Sequence, residues 1–340
     1  MMSKVRVGLI GAGKMGISHL SILGAHPDVE VVGVSDTSKM VVDVLKKYSS
    51  FEGFTNYEEM VEKTKPDAVF VAVPTKYHAV MVKNLLLKGK HVFAEKPLCL
   101  TSDEGGELVD LAQRYNVVNQ VGYHNKFIGT FREAKTIIEN GSLGEIFHFT
   151  GESYGPVVVR TKQDNWRSDP LEGGGCLMDY ASHVIDLINF VLGPIEAIKG
   201  SILKSFYSRN VEDSVFSLLE LQSKISGVLS VNWSDETYRK MSTTLTVIGS
   251  KGKIVCDANE IKVYFKEANC PVNYCKGWNV KHLTDFAIPV EFYLRGEEYS
   301  AQIDYFIKAI QKKVPNTINN FQSAWHTDKV INLIRKSINN

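Results

Sequence analysis

The sequence predicts an α/β chain: a doubly wound parallel-sheet domain, followed by an α+β domain built on a large, mostly antiparallel open sheet. Three observations predict it. In the first third, apolar β-branched runs alternate with longer stretches of helical spacing. A glycine-rich turn follows the first of those runs. Between residues 195 and 265 strand candidates come close together with few helices between them.

In order along the chain, VRVGLIG, VEVVGVSD, DAVFVAV and KHVFAE read as strands. They are apolar throughout, as expected where helices cover both faces of a parallel sheet. HAVMVKNLLLKG and DEGGELVDLAQRYN carry helical spacing between or after them. The pattern changes near residue 123. FREAKTIIENG reads as a helix and EIFHFTGESYG as a strand, and VFSLLELQ, SGVLSVNWS, TTLTVIGS and GKIVC then suggest the antiparallel sheet. Segment 266–290 has weak periodicity and is expected to be a loop or extension, and helical stretches at 298–311 and 320–336 close the chain. The expected domains are 1–123 and 124–340.

With 340 residues, 44% hydrophobic and 23% charged, the chain is long enough for two cores. Lys and Arg number 39 against 38 Asp and Glu, with no block of one sign, which argues against a nucleic-acid or membrane-surface partner. A strand is expected by residue 4, leaving no room for a signal peptide, and no apolar stretch approaches spanning length. A cytoplasmic protein is expected. Cys99, Cys176, Cys256, Cys270 and Cys275 lack the density and spacing of a disulfide framework or a zinc site, so reduced thiols and no metal are expected.

Gly11-Ala12-Gly13-Lys14-Met15-Gly16 follows strand VRVGLI and opens a helix. In such a turn the first glycine allows the tight bend, the second lets a pyrophosphate approach the backbone, and the third lets the helix pack closely. Asp36 lies 20 positions after Gly16 at the end of the next strand, where an acid can bond the adenosine ribose. This is a Rossmann dinucleotide signature. An acid there repels a 2′-phosphate, which favours NAD over NADP; Lys39 nearby tempers that preference.

Lys96 in AEKPL comes at the end of KHVFAE, at the carboxyl edge where an open parallel sheet binds its ligand. Pro97 restricts it and allows a cis bond. Farther on, Gly173, Gly174 and Gly175 lead into a stretch of helical spacing that holds Asp179 and His183, four residues apart and so expected on one helix face. A carboxylate beside an imidazole can orient it and raise its pKa, which suits removal of an alcohol proton. A stabilising surface pair, or a metal site of Asp179, His183 and Asp186, are the competing readings of that spacing.

GAGKMGISH, VPTKYHAV, GKHVFAEKPL and GGGCLMDYASHVIDLINFVLG, in this order, resemble the Gfo/Idh/MocA family of oxidoreductases, which includes glucose-fructose oxidoreductase and inositol dehydrogenases. The resemblance covers essentially the whole chain. It implies a C-terminal α/β domain whose open sheet mediates a homodimer or homotetramer. It implies Lys96, Asp179 and His183 as the catalytic set, Glu95 and Pro97 as its frame, and Pro74, Thr75 and His78 beside the cofactor. His19 matches a position where the family often has His, and a packing role on its helix face is the equal alternative. In the implied reaction His183 removes a hydroxyl proton from a sugar-like alcohol, Lys96 hydrogen-bonds the developing alkoxide, and hydride passes to the nicotinamide. Which of the two finally carries the proton stays open.

Candidate substrate contacts are Tyr123, His124 and Lys126, then Tyr154, then Arg160, Asn165, Trp166 and Arg167. Aromatic faces suit sugar rings, and the basic residues could meet the diphosphate of a nucleotide-linked sugar. A monosaccharide, an inositol and a nucleotide-activated sugar all fit. The alternatives are an NAD-dependent glycosidase that shows no net cofactor reduction, a reductase of a non-sugar carbonyl, and a non-catalytic NAD-binding sensor.

Overall fold

The computed structural model describes residues 3–47, 50–160, 166–268, 270–286 and 297–338. The chain divides into two units. The first comprises Met1–His124 and Pro289–Trp325, the second Asn125–Ile288 and His326–Asn340.

In the first unit β1 (Val5–Ile10), α1 (Lys14–Ala25), β2 (Val29–Ser35), α2 (Lys39–Lys47), β3 (Glu52–Phe54), α3 (Tyr57–Thr64), β4 (Ala68–Val71), α4 (His78–Leu87), β5 (His91–Ala94), α5 (Ser102–Arg114) and β6 (Asn119–Val121) alternate. The six strands are parallel in the order β3-β2-β1-β4-β5-β6, the doubly wound arrangement whose ligands bind beyond the carboxyl ends of the strands. β4 is AVFV with every residue buried, because helices cover both faces. Local chemistry agrees with these boundaries. Asn56 caps α3 by accepting from the backbone N–H groups of Glu58 and Glu59, and Thr101 with Glu104 forms a capping box on α5.

The second unit holds α6 (Gly129–Glu139), β7 (Ile146–Tyr154), α7 (Val157–Arg160), α8 (Ser182–Leu192), β8 (Ile195–Lys204), β9 (Ser214–Leu221), β10 (Ser226–Asn232), β11 (Ser242–Gly249), β12 (Gly252–Cys256), β13 (Glu260–Phe265) and β14 (Gly277–His282). Its eight strands run β14-β13-β12-β11-β7-β10-β9-β8, antiparallel except for the β7–β10 pair. Burial alternates along β7, β10 and β11. One face packs on α8, where a Cβ on Gly151 would touch Val184 and Ile188, and the other face carries no helix among the described residues. Segment 266–290 differs from expectation. Its residues Gly277–His282 pair with β13 as the edge strand β14, and Tyr274 ties the preceding turn to α6 through a 2.7 Å hydrogen bond to Glu133.

The last helices also differ from the expected boundary. α9 (Glu297–Lys312) places Ile303, Phe306 and Ile307 in the core of the first unit. Phe306 meets the stacked rings of Phe70 and Phe93 edge-on, at 5.6 and 5.9 Å. Burying such a ring contributes about 1.5 to 3 kcal/mol. Asn319 donates to the Val121 and Tyr123 carbonyls, so the returning chain covers the otherwise open edge at β6. The boundary falls inside α10 (Phe321–Ser337), after Trp325. Residues 124–340 are therefore not one continuous domain: the first core needs apolar side chains and an edge cover that its own first 123 residues do not supply.

The 23-residue stretch Pro170–Leu192 contains an 18-residue window of mean hydropathy 1.2, long and apolar enough to cross a membrane, contrary to the expectation that no stretch comes near. Of that window, 83% is buried inside the fold, so its apolar content serves a core.

Candidate active site

The glycine turn separates ligand needs from packing needs. Gly11 has φ +91°, and a Cβ there would lie 2.4 Å from the Ala72 carbonyl oxygen. A Cβ on Gly16 would lie 1.9 Å from the Gly11 carbonyl oxygen, so both are required by the protein itself. Gly13 is different: it is exposed, and a Cβ would meet nothing within 4 Å. Its lack of a side chain suits a group that comes from outside. Lys14 is exposed and Met15 half-buried at the start of α1.

Asp36 sits across this turn. Its carboxylate accepts from the Ala12 N–H at 2.7 Å and the Ser38 N–H at 2.8 Å. Two oxygens with one backbone donor each keep lone pairs for the two ribose hydroxyls. The turn and the acid, distant in sequence, are thus one site, and its residues fit a bound dinucleotide.

At the same sheet edge β5 delivers Lys96, which is half-buried. The Lys96–Pro97 peptide is cis. Glu95 is buried and accepts a 2.6 Å hydrogen bond from His19 Nε2 on α1. Burial pushes the Glu95 carboxyl up, but His19 and Lys96 outweigh it and hold it below the usual carboxylate range. The Lys96 N–H donates to the other Glu95 oxygen at 3.2 Å. Gly122 presses against this carboxyl, where a Cβ would sit 3.1 Å away. His19 therefore serves the frame of Lys96 and packs against the rings of both Phe70 and Phe93.

Pro74 is exposed and Thr75 buried at the turn Thr75–Tyr77 after β4. His78 does not stand where a cofactor contact would. Its ring is fully buried, with Nε2 2.9 Å from the Val73 carbonyl and Nδ1 3.0 and 3.2 Å from those of Pro97 and Leu98. Both nitrogens face backbone carbonyl oxygens, and the one that carries the ring proton donates to its neighbour. Burial holds the His78 pKa below its ordinary value, against the pull of these carbonyls and of Glu95.

In the second unit the glycine run leads into a π-helical turn, Leu177–Ala181, before α8. Asp179 lies in that wider turn and His183 in the first turn of α8 directly after it, both about 5% exposed. π-turns inside helices occur often at functional sites. The Asp179 carboxylate accepts from Arg167 Nε at 3.0 Å, and the Arg167 guanidinium lies over the Trp166 ring. Arg167 also binds through its backbone: its carbonyl accepts from the Gly175 N–H.

The glycines here answer to the protein. A Cβ on Gly174 would lie 2.3 Å from the Arg167 carbonyl oxygen; one on Gly175, at φ +104°, would lie 2.3 Å from Glu212 Oε1. Sequence reasoning missed Glu212. Its carbonyl accepts from the Cys176 N–H at 2.9 Å and its carboxylate from the Leu177 N–H at 2.8 Å, capping the π-helical turn from a distant strand connection. Burial pushes the Glu212 carboxyl up.

Other candidates fall elsewhere. Asp186 pairs with Lys126 at 2.7 Å in the interior, and burial pushes its carboxyl up to about 6 against that lysine. Tyr123 lies in the core of the first unit. His124 stacks on Tyr299 at 4.7 Å. Tyr154 projects from the sheet face opposite α8, where its hydroxyl meets Ser230 at 2.8 Å and Glu152 at 3.0 Å, away from Asp179 and His183. Asn165 and the Arg160 side chain lie outside the described residues.

A doubly wound sheet with this turn, this acid and a framed lysine at its carboxyl edge defines an NAD-binding oxidoreductase. Residues 5–123 match "Oxidoreductase family, NAD-binding Rossmann fold", and residues 131–255 match "GFO/IDH/MocA C-terminal domain". The chain belongs to the Gfo/Idh/MocA family. It is 25% identical over 261 residues to myo-inositol 2-dehydrogenase of Thermotoga maritima, covering 74% of this chain and 75% of that one. It is 28% identical over 243 residues to D-glucoside 3-dehydrogenase of Escherichia coli, covering 65% and 68%. The solved structure of a levoglucosan dehydrogenase in complex with NADH superposes with a TM-score of 0.88, at 21% identity, over 98% of this chain and 97% of that one.

Proposed function

We propose that the chain is an NAD-dependent dehydrogenase of a secondary alcohol on an uncharged cyclic sugar or polyol, with Lys96, Asp179 and His183 as its catalytic side chains. The observation that carries this reading is the frame around Lys96: a buried, anionic Glu95 locked to His19 on the helix that leaves the glycine turn. A chain that merely retained the fold would have no need to hold a lysine so closely at the nucleotide edge.

Bound NAD supplies the hydride acceptor. His183 takes the hydroxyl proton, Lys96 donates a hydrogen bond to the alkoxide oxygen as the C–H bond breaks, and Asp179 keeps the imidazole oriented. Of the three cations that could meet a diphosphate, Lys126 and Arg167 each face a carboxylate of the protein, which favours an uncharged substrate over a nucleotide-linked sugar; the Arg160 side chain lies outside the described residues. Relatives named for inositol and glucosides point the same way.

We assign association into a homodimer or homotetramer to the helix-free face of the large sheet, where Ile202, Phe216, Leu218, Trp278 and Val280 stand exposed. Buried thiols such as Cys176 and Cys256 support a reducing, cytoplasmic setting.

The test is NAD reduction at 340 nm against inositols, glucosides, free aldoses, amino sugars and nucleotide sugars. Lys96→Met and His183→Ala should each lose about 10² to 10⁴-fold in turnover with the best substrate while NADH affinity is kept. Cleavage of a glycoside without net NADH would favour the glycosidase reading instead. Near-parental turnover in either variant would remove that residue from the mechanism.

A further inference from the structure

We propose that His78 is a positioning residue for Lys96 that ties the lysine loop to the end of the neighbouring strand and makes no contact with the dinucleotide. The inference rests on the catalytic role given above to Lys96, and corrects the cofactor role that family resemblance suggests for His78.

The β4–β5 ladder runs in register to Val71 and Ala94, and the Glu95 N–H adds one more bond to the Val71 carbonyl. Past that point the two backbones have no further rung among the described residues, yet Lys96 lies beyond it. The His78 ring takes over. One nitrogen lies beside the Val73 carbonyl beyond β4 and the other beside the Pro97 and Leu98 carbonyls just after Lys96; the neutral ring donates its one N–H to one of these sides and packs against the other. On its other side Lys96 is held by the Glu95–His19 pair. The lysine backbone is thus flanked in both directions, by the Glu95–His19 pair before it and by the His78 ring, wedged between the Val73 carbonyl and those of Pro97 and Leu98, after it. Both nitrogens are within hydrogen-bond distance of protein oxygens and the residue is 0% exposed, so nothing on the ring is offered to a ligand.

A clamp of this kind acts on catalysis by geometry, since a misplacement of about 1 Å can cost about 10²-fold in rate. His78→Phe keeps the ring and removes both polar ends; His78→Gln keeps one donor. The experiment measures NADH affinity by fluorescence titration, turnover with the best substrate of the panel, and the ¹³C signal of reductively methylated Lys96, assigned by its absence in Lys96→Arg. In His78→Phe we expect NADH affinity within about twofold of the parent. Turnover should fall about 10- to 100-fold with KM changed less than about threefold, and the Lys96 signal should shift or broaden. His78→Gln should recover part of the turnover, and it replaces His78→Phe if that variant does not fold. A tenfold or greater loss of NADH affinity, with or without loss of turnover, would make His78 a cofactor contact and overturn the proposal. An unchanged Lys96 signal would overturn it too. The NMR readout needs no substrate, so failure of the clamp is separable from failure of the dehydrogenase reading.

Discussion

Lys126 Nζ lies 2.7 Å from Asp186 Oδ1, and the two side chains keep only 2% and 1% of their surface exposed. A cation and an anion so far from water stabilise the fold only as a pair. Asp186→Leu alone should cost about 3 to 5 kcal/mol, because it strands a buried ammonium. The double variant Lys126→Met/Asp186→Leu should regain most of that loss. Urea unfolding of the parent, both single variants and the double variant measures it; additive losses would mean that the two side chains do not depend on each other.

The two buried carboxyls should leave opposite marks on pH dependence. Glu95 has a depressed pKa, so its contribution is complete above the ordinary value of 4.5 and is lost as pH falls through its lower folded value. Asp186, raised to about 6, favours the folded state below the ordinary 3.8, and that contribution is lost as pH rises through about 6. His19→Gln removes the partner that holds Glu95 down. Acid unfolding of His19→Gln should therefore begin at a higher pH than in the parent, monitored by circular dichroism from pH 7 downward.

Gly13 and Gly16 should part company on substitution. Gly13→Ala meets no protein atom, so the melting temperature should hold, while NADH affinity should drop at least about tenfold through loss of close backbone approach. Gly16→Ala drives a methyl to within 1.9 Å of a carbonyl oxygen and should destabilise the folded protein itself. Calorimetry beside a fluorescence titration separates the two outcomes.

Gly175→Ala should cost about 1 to 3 kcal/mol from its left-handed backbone alone, before the clash with Glu212 is added. Glu212→Gln, which keeps an acceptor for the Leu177 N–H, should be tolerated better than Glu212→Ala. Thermal unfolding ranks the three.

Which parts were legible in the sequence follows from the range of the forces involved. The glycine turn, Asp36 and the apolar runs of the parallel sheet are local patterns, and they sit in the structure where their spacing puts them. β3 is only three residues long, too short for a periodic signal, and β14 is an edge strand whose identity comes from pairing with β13. Among the site residues, Tyr123 and Lys126 looked available because they follow a strand, but burial is decided by the layers that close over them. Tyr154 followed the alternation of its strand to the helix-free face. Glu212 carries no signal at all in one dimension, since its significance comes from meeting Gly175 and Leu177 across the fold. The glycine run illustrates the same point: its need for small residues was visible, while the reason for it was a neighbour 37 positions downstream of Gly175.

Because residues Pro289–Trp325 rejoin the first unit, the nucleotide-binding half is stitched from two pieces of chain. Transplanting it onto another scaffold, whether by recombination in nature or by gene synthesis, requires three junctions rather than one, at 124/125, 288/289 and 325/326. A fragment cut after His124 would leave Phe70 and Phe93 without the Phe306 ring and should precipitate when expressed alone. Exchange of whole chains is then easier than exchange of halves.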